Sequence, residues 1–504
     1  MLFHQLSVLS LLSAVAWAAP STTPTEDACE EISKALPKRV FFPISINYNS
    51  QQSDYWSTLL RGIKSACVVV PQSAEHVSTA VKILNKYPDV KFAVKSGGHD
   101  PNAGHATVSN GVLISLAELK GATYDRDNGV AYVKPGGEWN DVISQLNKEG
   151  VAVVGGRLGV VGVGGLLLQG GISFLSSQYG LAADNIVGWE VVTANGTIVH
   201  VDAAKQPELA VAMRGSGSQF GVVTQFTIKA YPVNEVWGGI RIYDESKSDE
   251  IFEALHEFTP YNNLDNKAAI IVSNLYTLGA ARSFFVFYFY HGQKPPTTGP
   301  FAKLLKIKSL VSTTKTQPYP KLLKANGFGV SLLNSRQSFR TITIPYVASH
   351  PGIYAEISDK MKSISKKYFT NPLNLASQCS VDFQPLTSII GKHSEQRGGN
   401  AMGLTKNDPD RIILELQCSW TDKAQDDIVP QFTRDLTDWI ETRIPEWLES
   451  DGQSADQYLP LFMNDAMADQ NVTGSYKDYV KFKALQLKAD PEGVLRTRVG
   501  GFKY

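Results

Sequence analysis

The sequence is short of several things, and each shortage removes a class of function. It has no excess charge of either sign: 48 Lys and Arg are matched by 48 Asp and Glu over 504 residues. A balanced surface has no general attraction for nucleic acid or an anionic membrane, so neither is expected as a partner. No lysine follows a glycine-rich turn as a phosphate-gripping loop requires, and Gly215-x-Gly217-x-x-x-Gly221 misses the dinucleotide fingerprint by one residue. These gaps argue against a P-loop and a nicotinamide Rossmann domain. Cysteine is scarce, and none of the 4 residues stands at metal-ligand spacing, so no metal is expected. Internal repeats and low-complexity tracts are absent.

Long apolar runs are lacking as well. The segment Leu6–Val15 is too short to span a bilayer. It is followed by Ala16-Trp17-Ala18 before Ala19-Pro20, the small-x-small pattern of a secretory cleavage site, although MLFHQ ahead of it has no Lys or Arg. Residues 1–18 are therefore read as a signal peptide and the protein as secreted and extracellular. In an oxidising compartment a Cys29–Cys67 bridge is expected. Cys379 and Cys418 lie in apolar, strand-like stretches and could bridge or be buried thiols, the second reading being favoured. Asn195-Gly196-Thr197 and Asn471-Val472-Thr473 are candidate glycan sites on exposed turns.

What is present is a globular composition, 43% hydrophobic and 10% aromatic, in a chain too long for one simple core. Two domains are expected. In the first, the strand Ala66–Val70, the helix Ala74–Asn85 and the strand Lys91–Val94 read as a strand–helix–strand unit. Gly111–Leu116 and Val130–Val133 read as two short strands separated by the turn Asp125–Gly129, and Trp139–Glu149 as an amphipathic helix. Beyond Pro232 the pattern turns to β-branched and aromatic strands (Ile240–Tyr243, Ala268–Tyr276, Arg282–His291 and Arg411–Ser419) with helical runs at Ile251–Phe258 and Ile428–Ile444. This is expected to be an antiparallel α+β domain. Phe285, Phe287 and Phe289 alternate with Phe284, Val286, Tyr288 and Tyr290, and burial on both faces of that strand is the expected explanation.

Two glycine-rich stretches carry the chemistry. The first, Lys95-Ser96-Gly97-Gly98-His99-Asp100, begins where a strand ends; adjacent glycines can turn successive N–H groups inward as a nest for phosphate oxygens. Taken alone it is equally an ordinary turn with a surface histidine. The second stretch, residues 155–171, has 11 Gly or Val among its 17 residues and no charge except Arg157. That composition does not suit a flexible linker; packing explains half of the glycines, and a wall for a flat ligand is favoured for the rest.

With Ser96–Asp100, the run from Gly155, Gln178–Gly188, Phe220–Ile228 and the terminal Ala489-Asp490-Pro491-Glu492-Gly493…Gly500–Tyr504, the chain from about Trp56 onward resembles fungal berberine-bridge-enzyme-like FAD-linked oxidases of the vanillyl-alcohol-oxidase and p-cresol-methylhydroxylase superfamily. The resemblance implies an α+β fold: a two-subdomain FAD-binding domain over residues 19–232, a substrate domain with an antiparallel sheet over 233–450, and a segment 451–504 that returns to the first domain. It implies that Ser96, Gly97, Gly98, His99 and Asp100 cradle the pyrophosphate and that His99 is bonded to the flavin 8α-methyl. Leu158 stands where many relatives have a second attachment cysteine, so a single link is implied. Gly156, Arg157, Leu158, Gly162, Gly164, Gly165, Gly170 and Gly171 would approach the flavin, and Tyr179, Gly180, Asp184, Asn185 and Val223 the adenosine and pyrophosphate.

On the substrate side, Phe462-Met463-Asn464-Asp465 aligns with a stretch that commonly carries a tyrosine base in relatives. Asn464 is kept, for cofactor and substrate alike, and Asp465 becomes the candidate base, against the alternative of a turn-capping or ion-paired carboxylate. Tyr458, Asp382 and Gln384 are further polar candidates, whereas His393 and Arg397 are assigned to a surface loop. The activity implied is hydride transfer from an alcohol, sugar or secondary-metabolite substrate to covalent FAD, with O2 returning it to the oxidised form and giving H2O2. The alternatives are a dehydrogenase with another acceptor and a catalytically degenerate binding protein on the same scaffold.

Overall fold

The structure of the protein, a computed structural model, describes residues 23–277, 282–331, 334–369 and 378–504. The expected signal peptide, 1–18, lies outside the described residues. The helix Pro24–Ala35 opens the described chain, its first turn fixed by Thr23 and Glu26, each capping the other's backbone N–H. It buries Ala28, Cys29 and Ile32. Cys29 is joined to Cys67, as expected, which fastens the helix to the first sheet.

That sheet has four strands in the order Val40–Phe41, Cys67–Val69, Val112–Ser115, Phe92–Lys95. The expected strand–helix–strand unit is present, with Ala74–Leu84 as its helix, but its two strands are not neighbours. Val112–Ser115 lies between them, parallel to both. The glycine loop leaves the end of Phe92–Lys95, the edge strand.

The turn Asp125–Gly129 does not separate the strands expected. It joins Ala122–Asp125 to Val130–Val133, a hairpin in the second sheet. The sequence reading missed Ala122–Asp125 because a Thr and a Tyr on an exposed edge leave little apolar alternation. This second sheet is antiparallel and centres on Val222–Pro232, flanked by Val130–Val133 and Ile186–Val192.

The third sheet, nine-stranded and antiparallel, follows from Glu235 onward. Its strands obey a period of two. Val381, Phe383, Leu414, Leu416 and Cys418 face a core shared with the helices Ser248–Tyr261, Ile353–Tyr368 and Ile428–Ser450. Ile413 and Phe289 point the other way, into the core built on the second sheet. On Arg282–Tyr290 the face of Phe284, Val286 and Tyr288 is buried as expected, whereas on the other Phe289 is buried and Phe285 and Phe287 are half-buried.

Cys379 and Cys418 correct the sequence reading: they form a disulfide. They lie directly opposite each other on adjacent strands, Cα atoms 4.1 Å apart. Only the register of the two strands brings them together. His393 is likewise corrected. It belongs to the helix Ser388–Gln396 rather than to a loop, and Arg397 just after it donates to Asn185 and to the Tyr231 hydroxyl. Asn195 and Asn471 are exposed.

After the substrate-side segment the chain comes back to the first sheet. Val494, Leu495 and Val499 join its core, and the Arg498 guanidinium donates to the carbonyls of Leu84, Tyr87 and Val90.

Candidate active site

A cleft holding about 1690 Å³ of space free of protein atoms, its mouth included, runs between the glycine loop, residues 157–169, the strand Arg411–Trp420 and residues 495–502. Its two ends are built differently.

One end is made of backbone. Gly97 and Gly162 cross so closely that a Cβ on Gly97 would lie 2.5 Å from the Cα of Gly162. Gly98 has φ +65°, and a Cβ there would meet the Asp54 carbonyl at 2.7 Å. The Ser96 hydroxyl donates to the Pro135 carbonyl and accepts from the Gly164 N–H, tying the two glycine-rich stretches into one wall. Lys95 is fully buried and turned away from the cleft, its ammonium held by Asp54 and by the carbonyls of Gln51 and Asp54. His99 lines the cleft, its ring stacked on Trp56 with centroids 4.3 Å apart and planes 11° from parallel. Burial pushes its imidazole down to about 4, against the opposing pull of Asp100, so the ring is neutral at physiological pH.

The other end is made of side chains. Arg157 donates to Gln384, and Gln384 donates to Asp465 at 2.8 Å. Glu415 lies opposite Asp382 in the strand register, and both carboxylates feel Asp465 and Arg157. Three carboxylates thus share one guanidinium, Asp382 and Asp465 buried and Glu415 and Arg157 half-buried on the cleft wall. Burial raises all three: Asp465 and Asp382 to about 6, and Glu415 well above the carboxylate range. At neutral pH such a cluster can hold Asp465 ionised beside Arg157 while Glu415 keeps its proton.

The sequence-predicted residues divide accordingly. Ser96, Gly97, Gly98, His99, Asp100, Arg157, Leu158, Gly162, Gly164, Gly165, Val223, Asn464 and Asp465 all line the cleft. Asp100 does so with its carboxylate already engaged by Asn102 and His105, so it shapes the loop rather than presenting charge to a phosphate. Asn464 braces the wall, accepting from the Gly171 N–H and donating to the Leu166 carbonyl. Gln384 stands behind Asp465 as its donor.

The others lie elsewhere. Gly156 packs on Trp139, Gly171 on Leu166, and Gly170 beside Leu181 and Phe462, none lining the cleft. Tyr179 stacks on Tyr231, its ring centroid 3.7 Å away. Gly180 packs against Asp184, whose buried carboxylate accepts from Leu181 N–H, Ser394 and Asn400; Asn185 donates to the Tyr179 and Leu181 carbonyls. That segment is tied to the helix Ser388–Gln396 and to Asn400 after it, and does not line the cleft. Tyr458 is also remote: its hydroxyl donates to the Met402 carbonyl and its ring lies under Lys477.

Sequence reasoning missed Trp56, Phe339, Glu415 and Gln417. For Glu415 and Gln417 a signal existed. They interrupt Leu414, Leu416 and Cys418 with period two in an otherwise buried strand, which marks a polar face turned toward a cavity.

The residues present suit a flavin dinucleotide. The backbone N–H groups of Gly97, Gly98 and His99 have no acceptor among the described residues, which leaves adjacent donors for phosphate oxygens. At Gly165, on the cleft wall, a Cβ would meet nothing within 4 Å, so the space there belongs to the cleft.

The comparisons agree. The FAD binding domain family matches residues 65–202. A protein of Arthroderma benhamiae described as an uncharacterized FAD-linked oxidoreductase is 33% identical over 471 residues, 92% of each chain. The FAD-dependent monooxygenase drtC of Aspergillus calidoustus is 30% identical over 516 residues, covering 98% of this chain and 95% of that one. Among solved structures, BBE-like 1 of Physcomitrella patens superposes with a TM-score of 0.72 at 18% identity, over 96% of this chain and 100% of that one, a likeness of fold. With the glycine cradle, the cleft and these matches together, the chain belongs to the FAD-linked oxidoreductases that carry this FAD binding domain.

Proposed function

We propose that the protein is a secreted oxidase that carries FAD on a single covalent link to His99 and oxidises an alcohol, sugar or secondary-metabolite C–H bond. The observation that supports this most is the pairing, in one cleft, of a neutral imidazole beside unpaired backbone donors with an ionisable carboxylate cluster at the far end. Bound FAD supplies the two-electron acceptor, and O2 takes the electrons from it to give H2O2.

The chain's own residues do the rest. Asp465, ionised beside Arg157 and oriented by Gln384, accepts the proton that the substrate loses with its hydride. Glu415, neutral, offers its proton as a hydrogen bond to the substrate oxygen. Arg157 offsets part of the negative charge that Asp465 and Asp382 carry above about 6, and Leu158 presents an apolar side chain with no capacity for a second attachment. The two disulfides and the leader suit an extracellular protein, with glycans at Asn195 and Asn471.

A flavin-bleaching screen over alcohols, oligosaccharides and phenolic secondary metabolites tests the reading. One class should bleach the flavin, and air should restore the colour with one H2O2 per turnover. Bleaching that air does not reverse would make the protein a dehydrogenase. Incorporation of 18O from 18O2 into product would support a monooxygenase, the reading favoured by the name of the Aspergillus calidoustus relative. A denatured pellet that loses all its yellow colour would remove the His99 link.

A further inference from the structure

The stacking of Trp56 on His99 is used by nothing described so far. Trp56 is held from several sides. Its backbone N–H donates to the Gly98 carbonyl at 3.1 Å, within the glycine loop. Its neighbours Ser57 and Thr58 are bonded to Gln337 and Ser335, so the segment is anchored to the third sheet as well. Phe339 packs against the indole at 5.1 Å and is tilted toward His99 at 6.3 Å. The indole N–H, buried, has no acceptor among the described residues, so ring contact rather than a side-chain hydrogen bond sets the position of the indole.

His99 is in the complementary situation. No hydrogen bond from the described residues orients its ring; the neighbouring carboxylate, Asp100, is engaged by His105 and Asn102 instead. A neutral imidazole without a hydrogen-bond partner would turn freely about its side-chain torsions and present its lone pair in one direction only part of the time. The stacked indole is what restricts it.

We propose that Trp56 is the positioning residue for flavin attachment: it fixes the plane of the His99 ring so that the nitrogen lone pair points at the 8α carbon. This rests on the reading that His99 carries the flavin. In the attachment step one N–C bond forms between the imidazole and the 8α carbon. One C–H bond of the methyl group and the imidazole N–H are broken, and two protons leave. The two electrons are taken up by the flavin ring system and pass to dioxygen, giving H2O2. Trp56 contributes no atom to this balance and acts only through orientation, a role that proximity and alignment make large.

The experiment compares wild type, His99→Ala, Trp56→Ala, Trp56→Leu and Trp56→Phe as full-length proteins produced under flavin limitation and then supplied with FAD in air. Two quantities are followed: FAD bound before denaturation, and the fraction retained by the acid-precipitated protein over time. Trp56→Ala and Trp56→Leu are expected to bind FAD in full but attach it about tenfold more slowly, while Trp56→Phe, which keeps an aromatic face, stays within about threefold of wild type. Attachment at the wild-type rate in Trp56→Leu, which preserves apolar volume should Trp56→Ala fail to fold, would overturn the inference. Wild type that releases its FAD as completely as His99→Ala would overturn both the inference and the His99 reading, a result distinguishable from failure of the Trp56 role alone.

Discussion

The two ends of the cleft are built by different means. At the glycine end the protein offers main chain: crossing glycines, N–H groups with no acceptor among the described residues and a lysine kept turned away. At the carboxylate end it offers side chains from three separate segments, Arg157, the strand pair bearing Asp382, Gln384 and Glu415, and Asp465. Main chain suits a group whose shape is constant, because close approach there tolerates no Cβ. Side chains on adjacent strands can be exchanged one at a time without disturbing the backbone, which suits the part of the site that differs between substrates.

The largest effect should come from breaking the main-chain end. Gly97→Ala places a methyl against the Gly162 backbone, which cannot yield as a flexible side chain would. A loss of about 3 kcal/mol or more is expected, with failure to retain FAD. The checks are melting temperature and absorbance of bound flavin; a stable, yellow Gly97→Ala protein would refute the crossing as a constraint.

The side-chain end should break differently. Asp465→Asn is expected to leave FAD binding intact and slow flavin reduction by about two to four orders of magnitude in stopped-flow measurements. Reduction at the wild-type rate would remove Asp465 from the mechanism. Next in size is the double change Cys379→Ala/Cys418→Ala, on the helix-facing side of the same strand pair. It should lower stability by about 2–4 kcal/mol while bound FAD is unchanged. Loss of FAD in that variant would mean that the two ends are not separable.

A smaller effect comes from pH. With Asp465 at about 6, flavin reduction should fall about tenfold per unit below that value and level off above it. The same raised pKa means that the folded protein binds more protons than the unfolded one between 3.8 and about 6, so this group's contribution to stability declines as pH rises through that window. A flat rate profile from pH 5 to 7 would contradict the assignment. Tyr458→Phe should change reduction least, within about twofold, because its hydroxyl is spent on Met402 away from the cleft.

The same contrast explains what could be read from the sequence. Ser96–His99 and residues 157–165 are contiguous, and their glycines announce close backbone approach wherever they fall, so the main-chain end was legible. Asp465 was legible through the segment it shares with Asn464. The pairing of Cys379 with Cys418 depends on strand register, which a single sequence does not display, whereas Glu415 and Gln417 show there only as polar residues at period two, with the cavity they face set by the fold. Asp184, Asn185 and Tyr179 were misplaced for a related reason. Their motif is compact and polar, but its hydrogen bonds run to the helix Ser388–Gln396 some 200 residues later, as the separation of 210 between Ser394 and Asp184 records.

Residues 495–502 form one wall of the cleft, and Gly500 packs onto the Gly104 carbonyl so tightly that a Cβ would lie 1.6 Å from it. The glycine loop is synthesised some four hundred residues before that wall. A nascent chain that has not reached residue 495 therefore carries the loop with no closed site, and closure of the cleft follows synthesis of that wall. The order of cofactor loading relative to folding and disulfide formation is thereby set by where one wall lies along the chain.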